Sequence, residues 1–230
     1  GHFSSKITID NEAYYARSIT PGDIDGDGDI DLIVACGSLA TSSIENNVIL
    51  YRNSDGQGNF IREVVSKTED VTSVLFTDID GDNDLDIVSG NFFSGGAYWY
   101  ENIDGLGHFG TSKRFSTLNS ITSIGSADLD NDGDNDIILS SNNDYNIVWY
   151  ENKNGTGNFT SHNVIGYNEE TCSKILPVDL NNDGKIDIIS LTGDSNKIVW
   201  YENTDGLGVF ATKQLISENL FNPLDITAGD

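Results

Sequence analysis

Residues 18–34 read Ser-Ile-Thr-Pro-Gly-Asp-Ile-Asp-Gly-Asp-Gly-Asp-Ile-Asp-Leu-Ile-Val. An apolar segment enters a loop in which every second residue is Asp, and the loop runs straight into another apolar segment. The same layout returns at 73–89, 123–139 and 174–190, with its first Asp at Asp23, Asp78, Asp128 and Asp179. One more step of the same size lands on Asp230. A second block follows each loop. Asn53 to Phe60, Asn102 to Phe109, Asn152 to Phe159 and Asn203 to Phe210 all fit Asn-x-x-Gly-x-Gly-x-Phe. A repeat of about 50 residues with this internal order means a solenoid, a propeller or an array.

Each repeat reads as four strands. In the first they are expected at 16–22, 31–36, 48–53 and 60–65. The third strand is apolar at successive positions, as in Ile147, Val148, Trp149 and Tyr150 and again in Ile198, Val199, Trp200 and Tyr201. A strand apolar on both faces suits sheets stacked face to face around an axis. No segment has sustained helical periodicity. The expectation is an all-β β-propeller of four-stranded blades filling residues 1–230, with blades near 10–66, 67–116, 117–167 and 168–217. Residues 1–9 look like a lone fourth strand and 222–228, within the end segment 218–230, like a lone first strand. Further blades, or a partner chain, would then complete the ring.

The 230 residues carry 37 acidic and 12 basic side chains, a net charge of −25. That speaks against nucleic acid and anionic membranes as partners. No run of 18 apolar residues exists to insert in a membrane. The chain has no Met, which reads as a processed protein or part of a longer one.

Eighteen of the 27 Asp lie in the four nine-residue loops, so the charge is concentrated at a fixed interval. Clustered carboxylates repel one another unless a cation joins them. The loops place side chains at positions 1, 3, 5 and 9, with position 7 able to add its backbone carbonyl. The candidate ligands are Asp23, Asp25, Asp27, Asp29 and Asp31; Asp78, Asp80, Asp82, Asp84 and Asp86; Asp128, Asp130, Asp132, Asp134 and Asp136; and Asp179, Asn181, Asp183, Lys185 and Asp187. Gly or Asn at positions 4 and 6 permits a tight backbone. An anionic, all-oxygen, flexible site suits Ca²⁺; Zn²⁺ favours His or Cys, and Mg²⁺ demands stricter octahedral geometry. An EF-hand needs an acidic residue at position 12, where Val34, Ser89, Leu139 and Ser190 stand. The competing reading is a set of polar hairpins without metal. About four Ca²⁺ sites are expected, the fourth weakest because of Asn181 and Lys185.

The Asp-x-Asp-Gly-Asp-x-Asp-x-Asp loops, joined to Asn-x-x-Gly-x-Gly-x-Phe turns over essentially the whole chain, resemble the FG-GAP/VCBS repeat family, which includes the calcium-binding β-propeller of integrin α chains. That resemblance implies calcium ligands at Asp23, Asp25, Asp27 and Asp31 and at their counterparts. Phe-Gly occurs in the turn context only at Phe109-Gly110, and the Trp-Tyr-Glu-Asn block is more similar to bacterial secreted and surface proteins. Integrin ligand specificity is therefore not implied.

In a four-stranded meander the acidic loops and glycine turns emerge on one face. The loops 37–46, 90–96, 141–145 and 192–196 emerge on the other, and they vary in length and content. Tyr14, Tyr15, Phe92, Phe93, Tyr145 and Tyr167 lie in or beside that face. They could stack on a sugar, anchor a protein, or pack locally over blade edges. Cys172 reads as a core position of a first strand, and Cys36 ends a second strand where the other repeats have Asn91, Ser141 and Thr192. No Ser/His/Asp arrangement or carboxylate pair stands outside the loops, so no enzyme is expected. The function expected is a secreted or cell-surface module for adhesion, recognising an extracellular protein or glycan. The alternative is an accessory carbohydrate-binding, lectin-like domain of a secreted polysaccharide-degrading enzyme.

Overall fold

The computed structural model describes residues 6–37, 47–67, 70–159, 161–167, 171–193, 196–221 and 223–229. Among them are sixteen strands and no helix. The first sheet holds β1 (Ala16–Gly22), β2 (Asp31–Cys36), β3 (Asn47–Arg52) and β4 (Ile61–Ser66). The second holds β5 (Val71–Thr77), β6 (Asp86–Asn91), β7 (Ala97–Tyr100) and β8 (Lys113–Arg114). The third holds β9 (Ile121–Ala127), β10 (Asp136–Ser141), β11 (Asn146–Tyr150) and β12 (Asn163–Gly166). The fourth holds β13 (Cys172–Val178), β14 (Asp187–Thr192), β15 (Lys197–Tyr201) and β16 (Gln214–Ser217). Each sheet is an antiparallel meander in chain order, one per repeat, as the alternation of apolar runs and turns requires.

Burial grades across each blade. The second strands β6, β10 and β14 are buried along their whole length, while β8 and most of β4 are exposed. The first strands meet around the axis through hydroxyl bridges. Thr20 Oγ1 donates to the Val74 carbonyl (3.0 Å), Thr72 Oγ1 to Ile121 (2.6 Å) and Thr122 Oγ1 to Cys172 (2.5 Å). Thr20, Thr72 and Thr122 thus join successive blades where apolar side chains would leave strand carbonyls unpaired.

Three apolar cores lie between neighbouring blades. Ile24, Ile33 and Leu50 meet Val71, Val74 and Tyr100; Ile79, Val88 and Trp99 meet Ile124, Leu139 and Tyr150; Leu129, Ile138 and Trp149 meet Ile175, Val199 and Tyr201. Among the described residues no such core joins the fourth blade to the first. The four blades form a propeller-like arc. The ends differ from the reading as lone strands. Residues 6–9 and 223–229 carry no strand, because a single strand without a neighbour has no ladder to stabilise it. Residues 1–5 and 38–46, on which part of that reading and one variable loop fall, lie outside the described residues. Cys36 and Cys172 are buried thiols in different blades, with Cys172 Sγ 3.2 Å from Ser190 Oγ.

The glycine turns have a packing reason. A Cβ on Gly157 would stand 2.3 Å from the Trp99 ring of the preceding blade, and one on Gly208 2.3 Å from Trp149. Gly157 also sits at φ +65°. Gly157→Ala is therefore expected to destabilise the protein by about 2–4 kcal/mol through overpacking and left-handed strain. Urea unfolding of the variant checks this, and a change under half a kcal/mol would contradict the packing.

Candidate metal centres

The acidic loops connect the first and second strands of each blade, and one hydrogen-bond pattern builds all four. The carboxylate at position 1 accepts the N–H of position 6: Gly28 to Asp23 (3.0 Å), Asn83 to Asp78 (3.0 Å), Gly133 to Asp128 (3.0 Å) and Gly184 to Asp179 (2.9 Å). Position 5 accepts the N–H of position 7, as in Asp29 to Asp27 (2.9 Å) and Asp134 to Asp132 (3.0 Å). Positions 4 and 6 have positive φ in every loop, from Asn182 (+58°) to Gly133 (+98°), with Asn83, Asn131 and Asn182 where Gly is absent. Gly26, Gly28, Gly133 and Gly184 have open space around them, so backbone conformation selects these residues.

Position 9 is the anchor. Asp31, Asp86, Asp136 and Asp187 are at most 1% exposed. In the second loop Asp86 accepts the Ile79 N–H (3.0 Å) on one oxygen and the Asn102 N–H (2.8 Å) on the other. Asp31, Asp136 and Asp187 are held the same way. The Asn at the end of the third strand then reaches outward. Asn102 Nδ2 donates to Ile24 O (3.0 Å), Asn152 to Ile79 O (2.7 Å) and Asn203 to Leu129 O (2.8 Å), each in the preceding blade's loop. Asn102, Asn152 and Asn203 stand in the repeated turn pattern, yet their role as ties between blades is visible only once the blades are stacked.

In three loops carboxylate oxygens converge to within 4.8 Å of one another: Asp23, Asp25 and Asp27; Asp78, Asp80 and Asp86; Asp128, Asp130 and Asp136. Oxygens bound to one Ca²⁺ at roughly 2.3–2.6 Å lie within about 5 Å of each other, so these sets match its reach. Within these sets, buried oxygens of Asp23, Asp25, Asp80 and Asp128 have no hydrogen-bond donor. Buried carboxylate oxygens without donors are costly, and a hard cation satisfies them. The residues fit calcium. Asp29, Asp84 and Asp134 at position 7 turn their side chains against the first turn glycines Gly56, Gly105 and Gly155, outside these convergent sets.

Two loops carry a resident cation. Lys185, expected to offer only its carbonyl, places Nζ 3.0 Å from Asp183 Oδ2 and donates to Thr204 O (2.9 Å). That bond holds the Asp183 carboxyl below its usual range. The fourth loop gathers no triad of carboxylates, so the structure shows three acidic clusters where four sites were expected. In the first loop Arg52 Nη1 lies 2.8 Å from Asp25 Oδ2, and Arg52 also binds Glu63 and the Leu106 and Gly107 carbonyls. The corresponding residues of the other repeats are Glu101, Glu151 and Glu202.

Burial pushes the Asp86 and Asp136 carboxyls up to about 7, and burial with the neighbouring Asp82 pushes Asp84 up to about 6. An unfolded Asp titrates near 3.9. Between about pH 4 and 7 the metal-free fold holds protons that the unfolded chain has released, so it loses stability as pH rises through that window. Calcium binds the charged forms, so the loaded protein loses stability as pH falls through the same window. Melting curves at both ends of the window, with EDTA and with calcium, should show opposite pH trends. The same trend in both would refute the assignment.

The candidate recognition residues lie apart from these loops. Tyr14, Tyr15, Phe93, Tyr145 and Tyr167 are 52–69% exposed, while Phe92 is half-buried, edge-on to Phe93 at 5.1 Å. Phe92 lines a cleft of about 290 Å³ at the axis with Arg17, Thr72, Thr122, Asn142 and Thr171. Sequence reading missed Arg17, Asn142 and Thr171, because only stacking of the first strands brings these positions together.

Comparison with known proteins agrees with this architecture. The FG-GAP-like repeat matches residues 23–89, 78–139, 128–190 and 179–230. No curated protein matches the sequence. An Agrocybe aegerita lectin, described as recognising non-reducing terminal N-acetylglucosamine, superposes with a TM-score of 0.60 at 22% identity over 86% of this chain. An exotype rhamnogalacturonan lyase superposes with a TM-score of 0.53 at 17% identity, also over 86%. The chain spans 51% of the lectin's length and 41% of the lyase's. Likeness at this identity speaks for the fold. With four repeats matched and four blades formed, the chain belongs to the FG-GAP-like repeat family.

Proposed function

We propose that this protein is a non-enzymatic, calcium-binding recognition module that works outside the cell or at its surface and holds a glycan or a protein on the face opposite the acidic loops. The observation that carries the calcium part is the set of three convergent carboxylate clusters with donorless buried oxygens. Extracellular modules bind Ca²⁺ with dissociation constants of about 10⁻⁴–10⁻³ M, matched to calcium outside cells. Asp23, Asp25, Asp27 and Asp31, with their counterparts in the second and third loops, hold the ions; in the fourth loop Lys185 pairs with Asp183, one of its three Asp. No helix among the described residues is long and apolar enough to cross a membrane.

The recognition part is supported by the opposite face. Tyr15 (φ +54°) and Tyr145 (φ +51°) occupy left-handed backbone positions, and the counterparts of Tyr145 are Gly95 and Asn196. A Tyr in that conformation costs about 1–2 kcal/mol and is retained where its ring has a use. On the same face the axial cleft, which Arg17 and Phe92 also line, holds buried Asn142 Oδ1 and Thr171 Oγ1 without hydrogen-bond partners. Such polar groups around an aromatic suit a polyhydroxylated ligand. The lectin and lyase folds favour a glycan over a protein. The lyase also motivates the second reading, an accessory carbohydrate-binding domain of a polysaccharide-degrading enzyme.

Tyr145→Asn should raise stability by about 0.5–1 kcal/mol while weakening ligand binding. A glycan array probed with calcium-loaded protein, and with Tyr145→Asn and Phe93→Ala, tests the reading. Binding lost in both variants supports it. Glycan and cell attachment untouched by either would sink this face as the recognition site.

A further inference from the structure

In the first repeat Leu50-Tyr51-Arg52 stands where the others have Trp-Tyr-Glu, at 99–101, 149–151 and 200–202. The two exchanges belong together. At the second and third joints an indole of the preceding blade lies beneath the second turn glycine of the next, Trp99 under Gly157 and Trp149 under Gly208. At the first joint Leu50 replaces the indole, and the Arg52 guanidinium fills the place beneath the glycine. A Cβ on Gly107 would stand 2.7 Å from both Nη1 and Nη2 of Arg52.

All five N–H groups of Arg52 are engaged there. Nε and Nη2 donate to Glu63 Oε1 (3.1 Å) and Oε2 (3.3 Å). Nη1 donates to Asp25 Oδ2 (2.8 Å) and Leu106 O (3.2 Å), and Nη2 also donates to Gly107 O (3.2 Å). One side chain thus fastens the acidic loop and the last strand of its own blade to the turn of the next. It is 12% exposed, so its charge is fixed in position and poorly screened.

Asp25 also belongs to the convergent set of the first loop, with Asp23 and Asp27. Its Oδ2 is held by Arg52, while its buried Oδ1 has no donor. Oδ1 is left for a calcium ion, and the guanidinium then stands one carboxylate away from it. Five Asp and one Arg give the first loop a charge of −4, whereas five Asp and one Glu, Glu101 or Glu151, give the second and third −6. The converging positions differ as well. They are 1, 3 and 5 in the first loop and 1, 3 and 9 in the other two.

We propose that Arg52 makes the first loop a second class of calcium site, at least tenfold weaker than the second and third, so that the chain loads in two steps as calcium rises. A unit positive charge about 6 Å from a divalent ion opposes its binding roughly tenfold even with the full screening of water. Arg52 meanwhile holds Asp25 and the first joint in the absence of that ion. This inference rests on the calcium reading of the loops.

The test is calorimetric titration of calcium chloride into the metal-stripped 230-residue chain, repeated on Asp23→Asn, Arg52→Gln and Arg52→Lys. In the parent, two ions should bind tightly and a third at least tenfold more weakly. Asp23→Asn, in the first loop, should remove the weak step alone. Arg52→Gln removes the charge and should tighten the weak step about tenfold. Arg52→Lys keeps the charge without the fork, so the weak step should stay weak, a contrast that a purely structural role would not produce. Three equal steps, a weak step that survives Asp23→Asn, or one that Arg52→Gln leaves in place overturns the proposal and leaves the calcium loops standing. No binding at all would sink the loops and the proposal together. Should Arg52→Gln fail to fold, the two classes in the parent and their assignment by Asp23→Asn decide the matter.

Discussion

Chelation of calcium is expected to lower the melting temperature by roughly 15–30 °C. At a free level about 100 times its dissociation constant, one ion stabilises the fold by about 2.7 kcal/mol. Three ions contribute about 8 kcal/mol, and each kcal/mol moves the melting point of a domain this size by about 2–4 °C. Loss of the ion leaves the charges of Asp78, Asp80 and Asp86 converging within 4.8 Å, with a buried Asp80 oxygen lacking a donor. Differential scanning calorimetry with EDTA and after calcium is restored measures the effect. Melting that stays within a degree or two would remove the structural role given to the loops. Lys185 predicts a further difference: Asp183→Asn in the fourth loop should change the calcium dependence far less than Asp80→Asn or Asp130→Asn.

The second large effect is expected at Asn152, which is 1% exposed. Its Nδ2 donates to Ile79 O at 2.7 Å and Asn135 O at 3.1 Å, and its Oδ1 accepts the Gly157 N–H at 2.9 Å. Asn152→Ala leaves these three backbone groups without that partner. At about 1–3 kcal/mol for each group left unsatisfied, tempered by local relaxation, a loss of roughly 3–5 kcal/mol is expected. Asn53→Ala supplies the internal comparison. Asn53 bonds Ile30 O and the Gly58 N–H of its own blade, so it should cost about half as much. Equal losses in denaturant melts would show that the tie between blades adds nothing.

Much of this was legible in the chain before folding. Alternate-position Asp such as Asp78, Asp80, Asp82, Asp84 and Asp86 give both the phase of the repeat and the chemistry of the loop, because a hard cation needs several oxygens and a tight turn delivers them. The successive apolar residues Ile147 to Tyr150 announce a strand buried on both sides, and β11 is one. What stayed hidden depends on distant neighbours. Asn102 reads as an ordinary turn residue, yet its partner Ile24 lies 78 positions away. Arg52 departs visibly from the Glu of the other repeats, but its grip on Asp25 requires a side-chain path that spacing does not specify. Lys185 was recognised as a lower charge at position 7, whereas its ammonium folds back onto Asp183. The end segments misled for a physical reason: their residues match a strand pattern, but a strand exists only where a neighbour completes its ladder.

Calorimetric titration of calcium into metal-stripped protein tests the central claim most directly. Three ions per chain are expected, filling the loops at Asp23, Asp78 and Asp128, with the melting temperature rising in step. An absence of calcium binding, or binding that leaves the melting temperature unmoved, would contradict the assignment of these loops as metal centres that hold the blades together.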